Sequence, residues 1–249
     1  MRLKKDEQVF GIRAVRQVFE NDISRIMEVW VQDNNKINDL LQQATKHDIV
    51  IHTVAKKTLD KLTNNGRHQN IVITCKPAAK KTLEEFIAEL TVPPFLLVLD
   101  EIQDPHNLGA CLRTAEASGV HAIIVPENRS CKLTAIVRMV ATGAAETVPL
   151  IQVTNLVRSL NWLKDQGIWL VGTDEKSQAS IFETNLTGPL ALVLGSEGSG
   201  LRRLTRETCD TTVHIPMLGK IKSLNVSVAT GVCLYEAVRQ RMKISGSIN

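Results

Sequence analysis

The chain has 249 residues, of which 43% are hydrophobic, and its formal net charge at pH 7 is +4. This composition is typical of a globular protein with one large or two smaller domains, and no apolar stretch approaches the roughly 20 residues of a membrane span. The five cysteines include no C-x-x-C pair, which disfavours a disulfide scaffold or zinc ribbon and favours a reducing compartment. The charged N-terminus lacks the apolar run of a signal peptide, so we expect a soluble, cytoplasmic protein.

The first 75 residues predict a small α/β unit. Its predicted elements are helices over 11–20 and 37–47 and strands over 26–31, 48–54 and 70–75. Residues 1–80 hold 14 Lys or Arg against 9 Asp or Glu, whereas residues 81–249 hold 16 against 17. A positive excess confined to one unit favours an acidic partner for it, although chance variation of surface charge gives the same pattern.

A linker and a second α/β domain are predicted after this unit. Residues 76–94 are charged, are bounded by prolines and predict a linker with one short helix. Beyond it, the predicted strands cover 95–100, 121–126, 168–173, 190–195 and 212–216, and the predicted helices cover 107–119, 133–145, 155–166 and 226–242. Apolar runs without polar alternation are typical of strands buried on both faces. Residues 95–249 therefore predict an α/β domain with a parallel sheet.

Three loops follow predicted strands at the edge where parallel sheets bind ligands. The first contains Asn107, which suits either a polar site or the N-cap of the next helix. Arg113 lies six residues further on, among small and apolar residues. An arginine in such surroundings favours a carboxylate or phosphate partner, which makes it a candidate site residue.

The second loop carries Gly195, Gly198 and Gly200, with Glu197 among them. Glycines let a ligand approach the backbone closely, but a tight turn before a helix gives the same pattern. The spacing matches neither G-x-G-x-x-G nor a Walker A sequence. This mismatch disfavours a dinucleotide-dependent oxidoreductase and a nucleoside triphosphate site.

The third loop, residues 214–231, leads through two lysines to Ser223, Leu224 and Asn225. Ser223 or Asn225 suits the N-cap of the last helix. That role leaves the rest of the loop unexplained. Its apolar lip, Ile215–Met217, suits an adenine ring.

Together the three loops resemble the signature motifs of the SpoU family, the RNA 2′-O-ribose methyltransferases of the SPOUT class. The matching segments are "DPHNLGACLRTAEASGV", "LALVLGSEGSGL" and "IPMLGKIKSLNVSVATGVCLYEA". Upstream, "FGIRAV" and "HQNIVI" resemble landmarks of the ribosomal-protein-like RNA-binding domain that precedes the catalytic domain in large-subunit rRNA guanosine methyltransferases. This chain has Asn70 where that domain usually has glycine, and asparagine tolerates the backbone angles of such a turn.

The resemblance implies a domain order, a cofactor and a set of site residues. It implies an RNA-binding domain over 1–75, a linker over 76–94 and a catalytic domain over 95–249, with a trefoil knot near the C-terminus. The implied cofactor is S-adenosylmethionine, and no metal is required. The implied cofactor contacts are Gly195, Ile215 and Leu224, with Thr173, Met217 and Ser223 nearby, and the implied catalytic residues are Asn107, Arg113, Glu197 and Asn225.

By resemblance, the expected reaction is methylation of the ribose 2′-hydroxyl of a guanosine in large-subunit (23S) rRNA by a homodimer. Family resemblance makes Arg113 the base, but a neutral arginine is costly, so a substrate phosphate held by Arg113 is an equal alternative. Asn107, Glu197 and Asn225 would then orient Arg113 and the ribose. The alternative functions are a tRNA ribose methyltransferase and a non-catalytic RNA-binding factor of ribosome assembly.

Overall fold

The computed structural model describes residues 6–32, 37–63, 65–77, 81–196, 198 and 200–244. Its strands are Glu7–Phe10 (β1), Ile26–Val31 (β2), Val50–Thr53 (β3), Ile71–Cys75 (β4), Phe95–Leu99 (β5), Ala122–Pro126 (β6), Leu150–Val153 (β7), Trp169–Thr173 (β8), Leu190–Leu194 (β9) and Thr211–Val213 (β10). Its α-helices are Ile12–Asn21 (α1), Asn38–Lys46 (α2), Lys56–Leu62 (α3), Leu83–Glu89 (α4), Pro105–Ala117 (α5), Ala135–Ala141 (α6), Ala144–Thr147 (α7), Leu156–Asp165 (α8), Arg203–Thr208 (α9) and Val226–Ile244 (α10).

The described elements fall into two compact units. One contains residues up to 80 together with 133–147, and the other contains 81–132 and 148–249. The packing of residues 133–147 with the N-terminal elements was not predicted from the sequence. Sequence periodicity cannot reveal such an insertion, because a helix carries the same pattern whichever unit buries its apolar face.

The first unit is built on a mixed four-stranded sheet in the order β1-β4-β2-β3. Strand β4 pairs antiparallel with β1 and β2, and β2 pairs parallel with β3. The two helices and three strands predicted here are confirmed, whereas β1 and α3 were missed. Strand β1 has only four residues and is defined by its long-range pairing with β4, which local pattern does not report.

In the turn before β4, Asn70 adopts the left-handed backbone conformation that the usual glycine would allow. Gln69 and Asn70 have φ of 51° and 67°, in the left-handed region that glycine and asparagine tolerate best. The side-chain oxygen of Gln69 accepts a hydrogen bond from the backbone N–H of Ile12 at 2.9 Å. The two segments with landmark sequences, near residues 11 and 69, are therefore in direct contact.

A buried ion-pair network joins the inserted segment to the first unit. Arg138 of α6 is 4% exposed and lies 2.7 Å from the Glu7 carboxylate and in contact with Glu146. Arg25 also pairs with Glu7 at 3.0 Å and with Glu146 at 3.5 Å. Burial lowers the pKa of Arg138, so its charge is stable there only because the two carboxylates surround it.

We expect Arg138→Met to destabilise the first unit by about 3–5 kcal/mol, because it leaves the buried Glu146 carboxylate and the partly exposed Glu7 carboxylate with one cation instead of two. The control is Arg16→Met, which breaks an exposed pair with Asp39 and is expected to cost about 0–1 kcal/mol. Native-state hydrogen exchange of the β4 amides measures the stability of this unit. Equal protection in the two variants would contradict the role of the network.

The second unit is built on a six-stranded sheet in the order β10-β8-β9-β5-β6-β7, and every pairing is parallel. All five residues of β5, β6 and β9 are buried. On one face they pack against α4 and α8, while α5 packs on β6 and α10 on β9. The predicted parallel sheet, buried on both faces, is confirmed.

Several details of the second α/β pattern differ from prediction, among them the short helix α9, which was not predicted. The strand predicted over 212–216 ends at Val213. Strand β7 was not predicted, because "LIQV" has only four residues and Gln152 interrupts its apolar run. The helix predicted over 133–145 is broken into α6 and α7. The break occurs where Thr142 and Gly143 have φ of 52° and 106°, outside the helical region.

Burial also sets the chemistry of the cysteines. None of the five forms a disulfide bond. Burial raises the pKa of Cys75 to about 11 and the pKa values of Cys209 and Cys233 to about 12. At neutral pH these three thiols are protonated and act as packing groups.

Within the described residues, no helix has the length and apolar content needed to cross a bilayer.

Candidate active site

A cavity of about 610 Å³ lies at the C-terminal edge of the parallel sheet. The ends of β8, β9 and β10 contribute Thr173, Leu194 and Val213 to its wall. The segment from His214 to the first turn of α10 closes it on another side. Six predicted cofactor contacts all line this cavity: Thr173, Gly195, Ile215, Met217, Ser223 and Leu224.

Position 195 has to be a glycine because the backbone of the same loop passes very close to it. A Cβ atom at this position would lie 2.0 Å from the backbone carbon of Gly200 and 2.3 Å from the backbone nitrogen of Leu201. The glycine therefore permits a close backbone approach, and a side chain there would disrupt the loop. This supports the tight-turn interpretation of the glycine, and its role as a cofactor contact stays a prediction.

Asn225 joins the third motif to the first. Its Oδ1 accepts hydrogen bonds from the backbone N–H of Ser227 at 2.9 Å and from the Ser227 hydroxyl at 2.6 Å. Asn225 therefore caps α10, as the sequence allowed. Its Nδ2 donates to Oδ1 of Asn107 at 3.1 Å. The structure thus brings two predicted catalytic residues into contact beside the cavity.

The N-cap role considered for Asn107 is wrong. Helix α5 begins at Pro105, and the side chain of Asp104 accepts a hydrogen bond from the backbone N–H of His106 at 2.9 Å. Proline is favoured in the first helical turn because its missing N–H needs no partner there. Asn107 already lies inside the helix, so its side chain is available to Asn225.

Arg113 is exposed and does not line the cavity. It lies about 9 Å along the axis of α5 from Asn107 and about 120° away around the helix. Within the described part of the chain, its guanidinium forms no ion pair. The structure therefore does not bring Arg113 to Asn107 and Asn225 of the same chain. Glu197, the fourth predicted catalytic residue, lies outside the described residues.

Charged side chains that were not predicted also line the cavity. They are Asp174, Glu175, Lys176, Arg206 and Lys222. Arg206 pairs with Asp174 at 3.2 Å. The sequence did carry a signal for the first three, because "DEK" directly follows β8 at the ligand edge. Among the described residues, no group of three or more His, Cys, Asp or Glu forms a metal-binding cluster.

Comparison with known proteins agrees with this arrangement. Residues 94–235 match the SpoU rRNA methylase family, and residues 8–80 match the substrate-binding domain of RNA 2′-O-ribose methyltransferases. The chain belongs to the SpoU rRNA methylase family.

Curated relatives match nearly the whole chain. The 23S rRNA (guanosine-2′-O-)-methyltransferase RlmB of Shewanella oneidensis is 49% identical over 96% of this chain and 99% of its own. The enzyme of the same name from Escherichia coli is 46% identical over 94% and 99%. Among solved structures, the SpoU methyltransferase AviRb of Streptomyces viridochromogenes, in complex with AdoMet, has a TM-score of 0.83 and 26% identity, covering 96% of this chain and 91% of its own.

Proposed function

We propose that this protein methylates the ribose 2′-hydroxyl of a guanosine in 23S rRNA, with S-adenosylmethionine as the methyl donor. The main support for the proposal is that the three sequence motifs meet at one edge of the parallel sheet. The second and third motifs line a single cavity, and Asn107 of the first contacts Asn225 of the third. RlmB relatives match this chain along almost its whole length, in both units.

The cavity fits the proposed cofactor. Its volume lies within the range of about 300–1,000 Å³ that small-molecule sites occupy. Ile215, Met217 and Leu224 offer half-buried apolar surface for an adenine ring, and Lys222 and Arg206 offer cations for a carboxylate. S-adenosylmethionine would supply a methyl group activated by the positive charge of its sulfonium, a chemistry that needs no metal.

The reaction also has to remove the proton of the ribose hydroxyl. Asn107 and Asn225 form a fixed polar pair beside the cavity, so they are suited to orient the ribose. Arg113 is suited to hold the phosphate next to that ribose through its planar fork of donors. The proton acceptor is then either Arg113 itself or the phosphate that it holds.

We further propose a homodimer in which the partner subunit's Arg113 completes each site. Two observations support it. Arg113 is exposed and absent from the cavity of its own chain. Val228, Tyr235 and Met242 lie seven residues apart on α10, and 51%, 51% and 44% of their surfaces are exposed. Such a spacing places them on one stripe, and a contiguous apolar stripe of this kind is typical of an interface.

The fold expected from the family is a trefoil knot formed by the C-terminal segment. We infer that residues 214–225 belong to this knot. Support comes from the tight approach of Gly195 to Gly200 and Leu201, and from the way residues 214–225 share a cavity with that loop.

The first unit is proposed to bind the RNA. Lys56, Lys57 and Lys61 of α3 and the neighbouring Arg67 are all exposed, so their charges are available to phosphates. A tRNA substrate is the competing proposal. The 23S rRNA methyltransferase RlmB of Shewanella oneidensis matches 96% of this chain, including the substrate-binding domain over residues 8–80, which argues for the rRNA. An enzyme of rRNA modification is expected in the cytoplasm.

The direct test is methyl transfer from radiolabelled S-adenosylmethionine by the purified protein to 23S rRNA and to bulk tRNA. We expect label in one guanosine ribose of 23S rRNA. Label in tRNA alone would favour the tRNA enzyme. Cofactor binding without transfer to either RNA would favour a non-catalytic factor.

The cofactor contacts predict a specific loss of affinity. We expect Ile215→Ala to weaken binding of S-adenosylmethionine about tenfold, because it removes apolar surface from the cavity wall. Ile221→Ala is the matched control, since Ile221 is in the same loop but is 71% exposed and does not line the cavity. Calorimetry measures both affinities, and an equal effect of the two substitutions would contradict the assignment.

A further inference from the structure

A second cavity of about 650 Å³ lies at the same edge of the parallel sheet. It is lined by the loops after β6 and β7, by the first turn of α8 and by the start of α9. Three arginines line it, Arg129, Arg158 and Arg202, together with the amide side chains of Asn128 and Asn161. No carboxylate side chain is among its lining residues.

The three arginines differ in how far their charges are neutralised by carboxylate partners. The guanidinium of Arg202 is held in place by hydrogen bonds to the buried carboxylate of Asp100 at 2.7–3.1 Å. This pairing raises the pKa of Arg202. Arg129 touches Glu101 at 3.2 Å but leaves 71% of its side chain exposed. Arg158 is exposed and forms no ion pair with any residue that the structure describes.

The positive charge and the hydrogen-bond donors that the cavity still has available suit a phosphate. With Asp100 and Glu101 counted against the three arginines, one positive charge is left over in the group. Arg158 has all its side-chain donors available, and Arg129 has most of them. A planar guanidinium binds a phosphate through two parallel hydrogen bonds, and the asparagine amides supply further donors.

The cavity lies next to the proposed cofactor site. Leu201 lines the first cavity and Arg202, the next residue, lines the second. Consecutive Cα atoms are about 3.8 Å apart, so the two cavities are neighbours on one face of the sheet edge. An RNA strand whose ribose reaches the first cavity therefore has neighbouring phosphates within reach of the second.

We propose that this arginine-lined cavity binds a backbone phosphate of the substrate RNA close to the methylated nucleotide, with Arg158 and Arg129 as the contacting residues and Arg202 as the fixed wall. The inference rests on the proposed function. It adds a subsite in the second unit to the RNA contacts expected from the first. Its role is to hold the strand in register, so it acts on binding in the ground state and the transition state alike.

The test uses the full-length protein and an rRNA fragment, with Arg158→Ala, Arg129→Ala and the double variant. We expect each single variant to raise the Kd and KM for the RNA about tenfold, with kcat at saturating RNA unchanged. The slope of log K against log salt concentration should fall by about 1 for each lost phosphate contact. Arg158→Lys should restore part of the affinity.

Arg203→Ala is the matched control. Arg203 is 69% exposed, adjoins Arg202 in sequence, and pairs with Glu207 outside the cavity lining. Calorimetry with S-adenosylmethionine should give wild-type affinity for every variant. If the wild-type protein methylates the fragment and the variants keep its RNA affinity and salt slope, the subsite is wrong and the proposed function stands. If the wild-type protein does not methylate it, the proposed function fails and the subsite fails with it.

Discussion

Replacing Arg113 by lysine is expected to lower kcat about 10²-fold or more while S-adenosylmethionine still binds normally. Lysine keeps the charge but loses the planar fork that orients a phosphate against the ribose. Misplacing a reacting group by about 1 Å has a cost of this size. Arg113 lines no part of the cofactor cavity, which is why cofactor affinity should be unchanged.

Single-turnover methylation of an rRNA fragment by Arg113→Lys and Arg113→Ala measures this effect, with calorimetry alongside. Arg203→Lys is the control, because it changes another exposed arginine that already has its own carboxylate partner. The expected pattern is a lower kcat at nearly unchanged KM, which identifies an interaction made in the transition state. Near-wild-type turnover in both Arg113 variants would show that this residue is only a surface group.

A mixed dimer of two inactive chains should recover activity. One chain carries Arg113→Ala and has an intact cofactor cavity, while the other carries Leu224→Asp and has an intact Arg113. If each site combines the cavity of one chain with Arg113 of the other, the heterodimer has one complete site out of two. We therefore expect about half of the wild-type rate, from two proteins that are each nearly inactive.

Purification through two different affinity tags isolates this heterodimer, and methylation of the rRNA fragment reports its rate. The control is a heterodimer in which both substitutions are on one chain and the other chain is wild type. In the shared-site arrangement that control has no complete site, whereas with Arg113 acting in its own chain it keeps one. Activity in the control together with inactivity of the mixed dimer would contradict the shared site.

Much of the second unit was predictable, because its strands are short apolar runs buried on both faces. Strands β5, β6, β8 and β9 and helices α5, α8 and α10 lie where periodicity and apolar content placed them. The six cofactor contacts that the resemblance implied all line one cavity, as expected of loops that follow parallel strands at the same sheet edge. Their role in binding the cofactor stays a prediction.

Features that depend on long-range contacts could not be predicted. The packing of residues 133–147 with the first unit depends on ion pairs of Arg138 with Glu7, 131 positions away in the sequence. The close approach of Gly195 to Gly200 is different, because it spans only five positions and the sequence offered it as a tight turn. The N-cap of α5 was misassigned because Asp104 and Asn107 are both good capping residues, and only the position of Pro105 decides between them.

The identity of the modified RNA is best determined by mass-spectrometric mapping of ribose methylation in total RNA. The comparison is between a strain that lacks this protein and the same strain carrying the wild-type chain or Arg113→Ala. We expect one guanosine of 23S rRNA to lose its 2′-O-methyl group in the deletion strain, and only the wild-type chain to restore it. An unchanged 23S rRNA, with the loss found in a tRNA or in no RNA, would show that 23S rRNA is not the substrate.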